Sequence, residues 1–88
     1  MVRWSEEKNA ELQRKRGISF ERIAALYADE LYEAVIKHPT RSNQQILVMK
    51  IDGYTWAIPF VFEDDGKTMF FKTAYRSRKL HRLYGGEK

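Results

Sequence analysis

Residues 45–62 read QILVMKIDGYTWAIPFVF. Two runs rich in β-branched and aromatic side chains, 45–51 and 54–62, flank Asp52-Gly53. Asp-Gly between two such runs is the strongest short-range hairpin signal, because both central residues of the favoured two-residue turn need positive φ. The stretch therefore predicts an antiparallel hairpin at the centre of the chain, onto which the other elements must pack. Pro59, inside the second run, has no N–H to give, so it calls for a bulge or a strand position that needs no donor.

Towards the C-terminus, EDDG (63–66) reads as a second turn and TMFFKTAY (68–75) as a third strand of the meander. In that strand Lys72 and Ala74 alternate with Phe71, Thr73 and Tyr75. With Phe71 in the core, Lys72 faces solvent. The basic segment 76–84 reads as a short helix or an irregular cap over the sheet edge. Towards the N-terminus, LYEAVI (31–36) is read as a strand, the alternative being the end of a helix, and His38-Pro39 breaks either one. Phe20, Ile23, Ala24, Leu26 and Tyr27 recur at helical spacing behind Ser19, a candidate N-cap, so a helix is expected from there to near Asp29. Ser5 caps an earlier helix over 6–15, with Glu6 and Glu7 in its first turn and Gly17 as its stop. That helix has few apolar residues and is expected on the surface. Val2–Trp4 supplies a first strand. The order is β-α-α-β-β-β-β in one domain spanning 1–88. The fold class is α+β, with two N-terminal helices packed on one face of a twisted antiparallel sheet and a short basic C-terminal helix or cap.

The 88 residues include 16 Lys or Arg against 12 Asp or Glu, a formal charge of +4, and no Cys. Disulfides and thiolate metal sites are excluded. No apolar run approaches the roughly 20 residues of a membrane helix, and charges stand in MVRWSEEKN where a signal peptide needs its apolar core. A cytoplasmic protein with no membrane association is the expectation. The charge is unevenly placed. Acids gather at Asp29, Glu30 and Glu33 and at Glu63–Asp65, bases at Arg14–Arg16 and along 72–82. A basic face set apart from acidic loops suits a polyanionic partner.

Phosphate loops and nucleophile elbows are absent, and His38 and His81, the two histidines, lack metal-ligand spacing. Neither a metal nor a cofactor is expected. The bases, hydroxyls and aromatics that remain suit metal-independent RNA cleavage. There the 2′-OH attacks the adjacent phosphate, cations neutralise the developing charge, and side chains move two protons. The candidates are Lys72 on the strand, then Arg76, Arg78, Lys79 and Arg82 beyond it. Tyr84 packs on the core or stacks on a base. His38 is a turn residue or a proton carrier.

The pattern suggests a resemblance to one family. WSEEKNAEL, then RGISFERI, then a meander and FFKTAYRSRK with a closing Tyr, resembles the BrnT-type toxins of bacterial type II toxin–antitoxin systems, small ribonucleases with a RelE-like fold. The matching positions are Trp4, Lys8, Asn9 and Leu12, then Arg16, Gly17, Ile18, Ser19 and Phe20, then Lys72, Ser77, Arg78 and Lys79. The resemblance implies a translation-blocking, metal-independent endoribonuclease. It also implies a cognate antitoxin that covers the basic face and carries any contact with operator DNA. Read together with the residues, the expected catalytic set is Arg78, Lys79 and Lys72, with His38 or Tyr84 in proton transfer, and RNA binding is expected of Lys8, Arg16, Arg76 and Arg82. The alternative from another class is a non-catalytic RNA- or DNA-binding module using the same patch, with Tyr75, Trp56 or Tyr84 stacked on bases.

Overall fold

The computed structural model describes residues 1–85, and the last three positions of the expected domain, 86–88, lie outside them. The hairpin forms as read. Asp52 and Gly53 take φ +53° and +82° and join β3 (Gln45–Ile51) to β4 (Tyr54–Phe62) in an antiparallel ladder from Ile51↔Tyr54 to Gln45↔Phe60. Asp52 also receives a bidentate pair from Arg22 at 2.7 and 3.0 Å, which lowers its carboxyl pKa and ties the turn to the helix carrying Arg22. β2 (Ala34–Lys37) adds antiparallel to β3, so segment 31–36 resolves to a strand that begins at Ala34.

On the other side of β4 lies β5 (Met69–Phe71), and β1 (Val2–Trp4) adds parallel to β5. The sheet order is β1-β5-β4-β3-β2, so the sheet is mixed rather than purely antiparallel. α1 (Glu6–Arg16) starts at Ser5, whose hydroxyl accepts from the Lys8 N–H, and stops at Gly17 with φ +68°. α2 (Phe20–Ala28) starts in the same way at Ser19. Asn9, 2% exposed, fastens the two helices. Its carbonyl oxygen accepts from the Phe20 N–H and its amide donates to Glu21, both at 2.8 Å.

The helices do not all lie on one face. α1 and α2 cover Leu47, Met49, Ile51, Trp56, Ile58, Phe60 and Phe71. α3 (Arg78–Tyr84), the helical form of the expected basic cap, lies on the opposite face, where Leu80 and Tyr84 pack with Ile46, Val48 and Ala57. Burial on both faces is the reason. From Ile46 to Met49 and from Thr55 to Phe60 every residue is buried, and strands that are apolar on both faces need cover on both.

The third strand of the meander is interrupted. β5 ends at Phe71, opposite Phe60, and pairing resumes in β6 (Tyr75–Arg76), where Tyr75 faces Ala57 and Arg76 faces Trp56. Three residues, Lys72 to Ala74, stand against Ile58 and Pro59, so the segment carries one residue too many: a β-bulge. Pro59 sits opposite its start. The Lys72 N–H donates to the Pro59 carbonyl at 2.8 Å, and Pro59 has no N–H to return. The bulge shifts the expected alternation. Lys72 does face away from Phe71 and is exposed, but Ala74 is buried in the same cluster as Phe71 and Tyr75 turns to the α3 face.

The 63–66 turn is held by Asp65, which accepts from the Thr68 hydroxyl at 2.6 Å and from the N–H groups of Lys67 and Thr68 at 2.8 Å. Led by the hydroxyl, these bonds hold its carboxyl down to about 2, against an ordinary 3.8. As pH falls below the ordinary value the unfolded chain takes the proton first, so the contribution is whole above about pH 4 and disappears as pH drops towards 2. Asp65→Asn is therefore expected to flatten the fall of the melting temperature across that window. A pH series of thermal melts read by circular dichroism measures it, and parallel curves for the two proteins would discount Asp65.

Candidate nucleic-acid interface

The bulge brings Lys72 and Tyr75 to the same face of the sheet. There they line a cleft of about 330 Å³ with His38, Arg41, Gln44, Thr73 and Pro59. His38 and Arg41 come from the loop between β2 and β3. The His38 Nδ1 accepts from the N–H groups of Thr40 and Arg41, both at 3.2 Å. The neutral ring therefore carries its proton on Nε2, leaving an N–H donor that Nδ1 does not compete with. The Lys72 ammonium lies 5.5 Å from the Phe70 ring centroid, which steadies the long side chain above the sheet.

Tyr75 is a wall common to three hollows. The second, about 340 Å³, lies between α3 and the β2–β3 side of the sheet. Its lining is mostly apolar, with Ile36, Ile46, Leu80, Leu83 and Tyr84, and Lys37 and Lys79 are its cations. The third, about 430 Å³, lies on the α1 side of β6 and is lined by Lys15, Arg16, Trp56, Tyr75 and Arg76. Arg76 stands opposite Trp56 in the ladder, its guanidinium 5.6 Å from the Trp56 ring and 5.9 Å from the Tyr54 ring. The Arg16 Nη1 donates to the Ala74 carbonyl at 2.6 Å, satisfying an acceptor that the bulge takes out of the ladder.

Among the described residues, no acid lines any of these three hollows, whereas seven Lys or Arg do. Among the described residues, only Lys15 of the seven forms an ion pair, with Glu11 at 3.0 Å. Three carboxylates among the described residues are in ion pairs, Glu63 with Arg3, Glu11 with Lys8 and Lys15, and Asp52 with Arg22. Also among the described residues, no three His, Asp or Glu side chains gather as a metal-binding cluster, and no helix is long and apolar enough to cross a membrane.

The residues singled out in the sequence are divided by this arrangement. His38 and Lys72 share the first cleft, Lys79 and Tyr84 the second, and Arg16 and Arg76 the third. Arg78 and Arg82 are exposed on α3 and line none of the three. Lys8 lies apart, in a shallow groove with Ser5, Glu7 and Glu11, paired to Glu11 at 3.5 Å. His81 is structural: its Nδ1 lies 2.9 Å from the Thr55 hydroxyl, its ring stacks on Tyr54 at 4.1 Å, and a Cβ on Gly85 would run into it. Sequence reasoning did not single out Arg41, and it offered Tyr75 only as a stacking surface. Arg41 sits in a polar loop with no periodicity, and the face of Tyr75 depends on the bulge.

No protein-family model matches the chain, and no curated protein matches its sequence. Among solved structures, the crystal structure of the Brucella abortus ribonuclease toxin BrnT superposes over 86% of this chain and 94% of that one. The TM-score is 0.62 and the sequence identity 17%. The chain thus has a BrnT-like α+β fold.

The bulge makes the site testable. It turns Ala74 into the main core, where it is fully buried, so Ala74→Leu is expected to overpack that site. Overpacking of that kind costs about 1–3 kcal/mol, whereas Thr73→Ala keeps the register and is expected to cost well under that. Urea denaturation of both variants checks the difference, and equal midpoints would mean that the bulge does not turn Ala74 into the core.

Proposed function

We propose that the protein is the toxin of a toxin–antitoxin pair, a metal-independent endoribonuclease that acts on RNA in the cytoplasm and is silenced by an antitoxin seated on its basic face. The reading rests chiefly on the acid-free cleft in which His38, Arg41, Lys72 and Tyr75 converge, on a scaffold shared with a ribonuclease toxin. Lys72 and Arg41 hold the scissile phosphate. Arg suits this because its fork matches two phosphate oxygens, and Lys supplies a compact charge. The His38 Nε2–H donates to a phosphate oxygen. Lys79, Arg78 and Arg82 carry neighbouring phosphates along α3, and Tyr84 stands beside them for a base or a proton.

In the reaction the 2′-oxygen bonds to phosphorus and the bond to the 5′-oxygen breaks, leaving a 2′,3′-cyclic phosphate and a free 5′-hydroxyl. The proton of the 2′-OH goes to water, and Lys72 gives one to the leaving 5′-oxygen and regains it from solvent. Most of the acceleration falls to the cations, which face the extra charge of the pentacoordinate phosphorus in a pocket free of competing carboxylates. An acidic antitoxin segment on the same face excludes RNA by occupying the same cations, and any operator contact belongs to the antitoxin.

A second reading draws on one observation. The Nδ1 of His38 is already an acceptor and no carboxylate lines the cleft, so a protein base is lacking there. A non-catalytic RNA-binding module would have the same cations without the need for one.

Incubating the purified protein with RNA in EDTA separates the two. Cleavage gives discrete fragments ending in cyclic phosphate, whereas binding alone gives a salt-sensitive gel shift with intact RNA. Lys72→Ala is expected to lower the cleavage rate by about 10²–10³, the usual cost of removing one transition-state donor. Arg78→Ala is expected to relieve growth arrest when the protein is induced in a bacterium. Arrest of equal strength would take Arg78 out of the site, and no arrest by the wild type would count against the toxin reading.

A further inference from the structure

The groove around Arg76 has no part in the chemistry at Lys72, yet it is built to hold a ligand. We propose that it is a second nucleotide subsite, and that RNA reaches it from the His38–Lys72 cleft by bending around Tyr75, so that the protein selects unpaired strands. The proposal rests on the RNA-directed reading above and adds to it a second subsite and a substrate form.

Arg76 is fixed without being used. Its backbone is in the ladder opposite Trp56 and its guanidinium lies over the Trp56 and Tyr54 rings. Among the described residues, none of its N–H groups has a hydrogen-bond or ion-pair partner, and the nearby Asp52 is engaged in its bidentate pair with Arg22. A guanidinium held over two aromatic rings at the wall of a groove suits both phosphate and base. Arg16 stands beside it, with one nitrogen tethered to Ala74 and, among the described residues, no partner on the others. Lys15 closes the rim, and its exposed pair with Glu11 holds it only weakly.

The route follows from the sheet. Tyr75 walls both hollows, and β6 pairs with β4 alone, so only two residues of strand separate the two sides. A duplex resists bending over about 150 base pairs and cannot turn around one side chain, whereas a single strand rotates freely at each phosphate.

Chemical-shift mapping with 2′-O-methyl oligonucleotides, which cannot be cleaved by this route, tests it on the whole chain. A dinucleotide is expected to shift amides around His38, Arg41 and Lys72 only. A hexanucleotide is expected to shift these together with Lys15, Arg16, Arg76 and the Trp56 indole. Arg76→Gln is expected to abolish the second set, keep the first, and weaken the hexamer about tenfold, in line with the loss of one charged hydrogen bond. Lys15→Gln, which touches no core residue, should give a smaller loss of the same kind. Hexamer shifts confined to the His38 side overturn the second subsite, and a base-paired hairpin that shifts both sets as strongly as the open strand overturns the selection of unpaired strands. No shift on either side with the wild type overturns the RNA-directed reading itself.

Discussion

The β3–β4 hairpin is apolar on both faces, and the rest of the molecule answers that constraint. One face is closed well. Phe20 and Ile23 of α2 and Leu12 of α1 are buried on it, and Trp4 of β1 joins Phe20 and Phe71 in an aromatic group with centroids 5.6–6.2 Å apart. Each large side chain buried there contributes about 1.5–3 kcal/mol. The other face has only α3, seven residues long, with Leu80 as its buried anchor. A helix of that length covers Ile46, Val48 and Ala57 but not the sheet beyond Pro59. The cleft lined by His38, Arg41 and Lys72 is the part of the second face that α3 does not reach.

To place α3 there, the chain must pass from one face of the sheet to the other after β5, and the bulge at Lys72–Ala74 contributes to the turn. It returns Ala74 to the main core while swinging Tyr75 to the α3 side, and two residues later Ser77 caps α3 by accepting from the Leu80 N–H at 3.1 Å. A bulge leaves backbone groups without ladder partners. Arg16 answers one of them, so the last turn of α1 braces the segment that shapes the cleft. Arg16 thus belongs both to the bulge and to the neighbouring groove. Its tether holds the bulge, and its remaining donors face the groove around Arg76.

What the sequence disclosed follows from where its signals are local. Asp52-Gly53 marks its own turn, and Ser5, Gly17 and Ser19 mark helix ends through bonds made within three or four residues. The bulge is different, because FFKTAYR alternates on paper without a break and has no Gly or Pro of its own. The one sign was Pro59 on the partner strand, a missing donor whose meaning depends on register. The same continuous apolar runs that identified β3 and β4 also implied cover on both faces, a signal that concerns packing rather than any single element. His38 and Lys72 were legible by residue type, whereas Arg41 and the facing of Tyr75 were set by loop closure and register. Lys8 looked free in the sequence because its pairing with Glu11 is a matter of side-chain reach.

The net charge of +4 understates the field at Tyr75, because the charges are sorted. Glu63 meets Arg3 and Asp52 meets Arg22, Glu11 is shared between Lys8 and Lys15, and Asp65 is bound within its own turn. Apart from Glu11, which pairs with Lys15 at the rim of the Arg76 groove, each of these acids is held away from the cations around Tyr75. Those cations then face solvent with one sign on both sides of β6, a placement that focuses attraction for a polyanion and weakens as salt rises. If the RNA-directed reading holds, any acidic protein partner seated on this surface competes with RNA by occupying its binding groups, without needing a conformational change. Inhibition would then be a matter of relative affinity for one set of unpaired cations, and would be lost by the same substitutions that lose RNA.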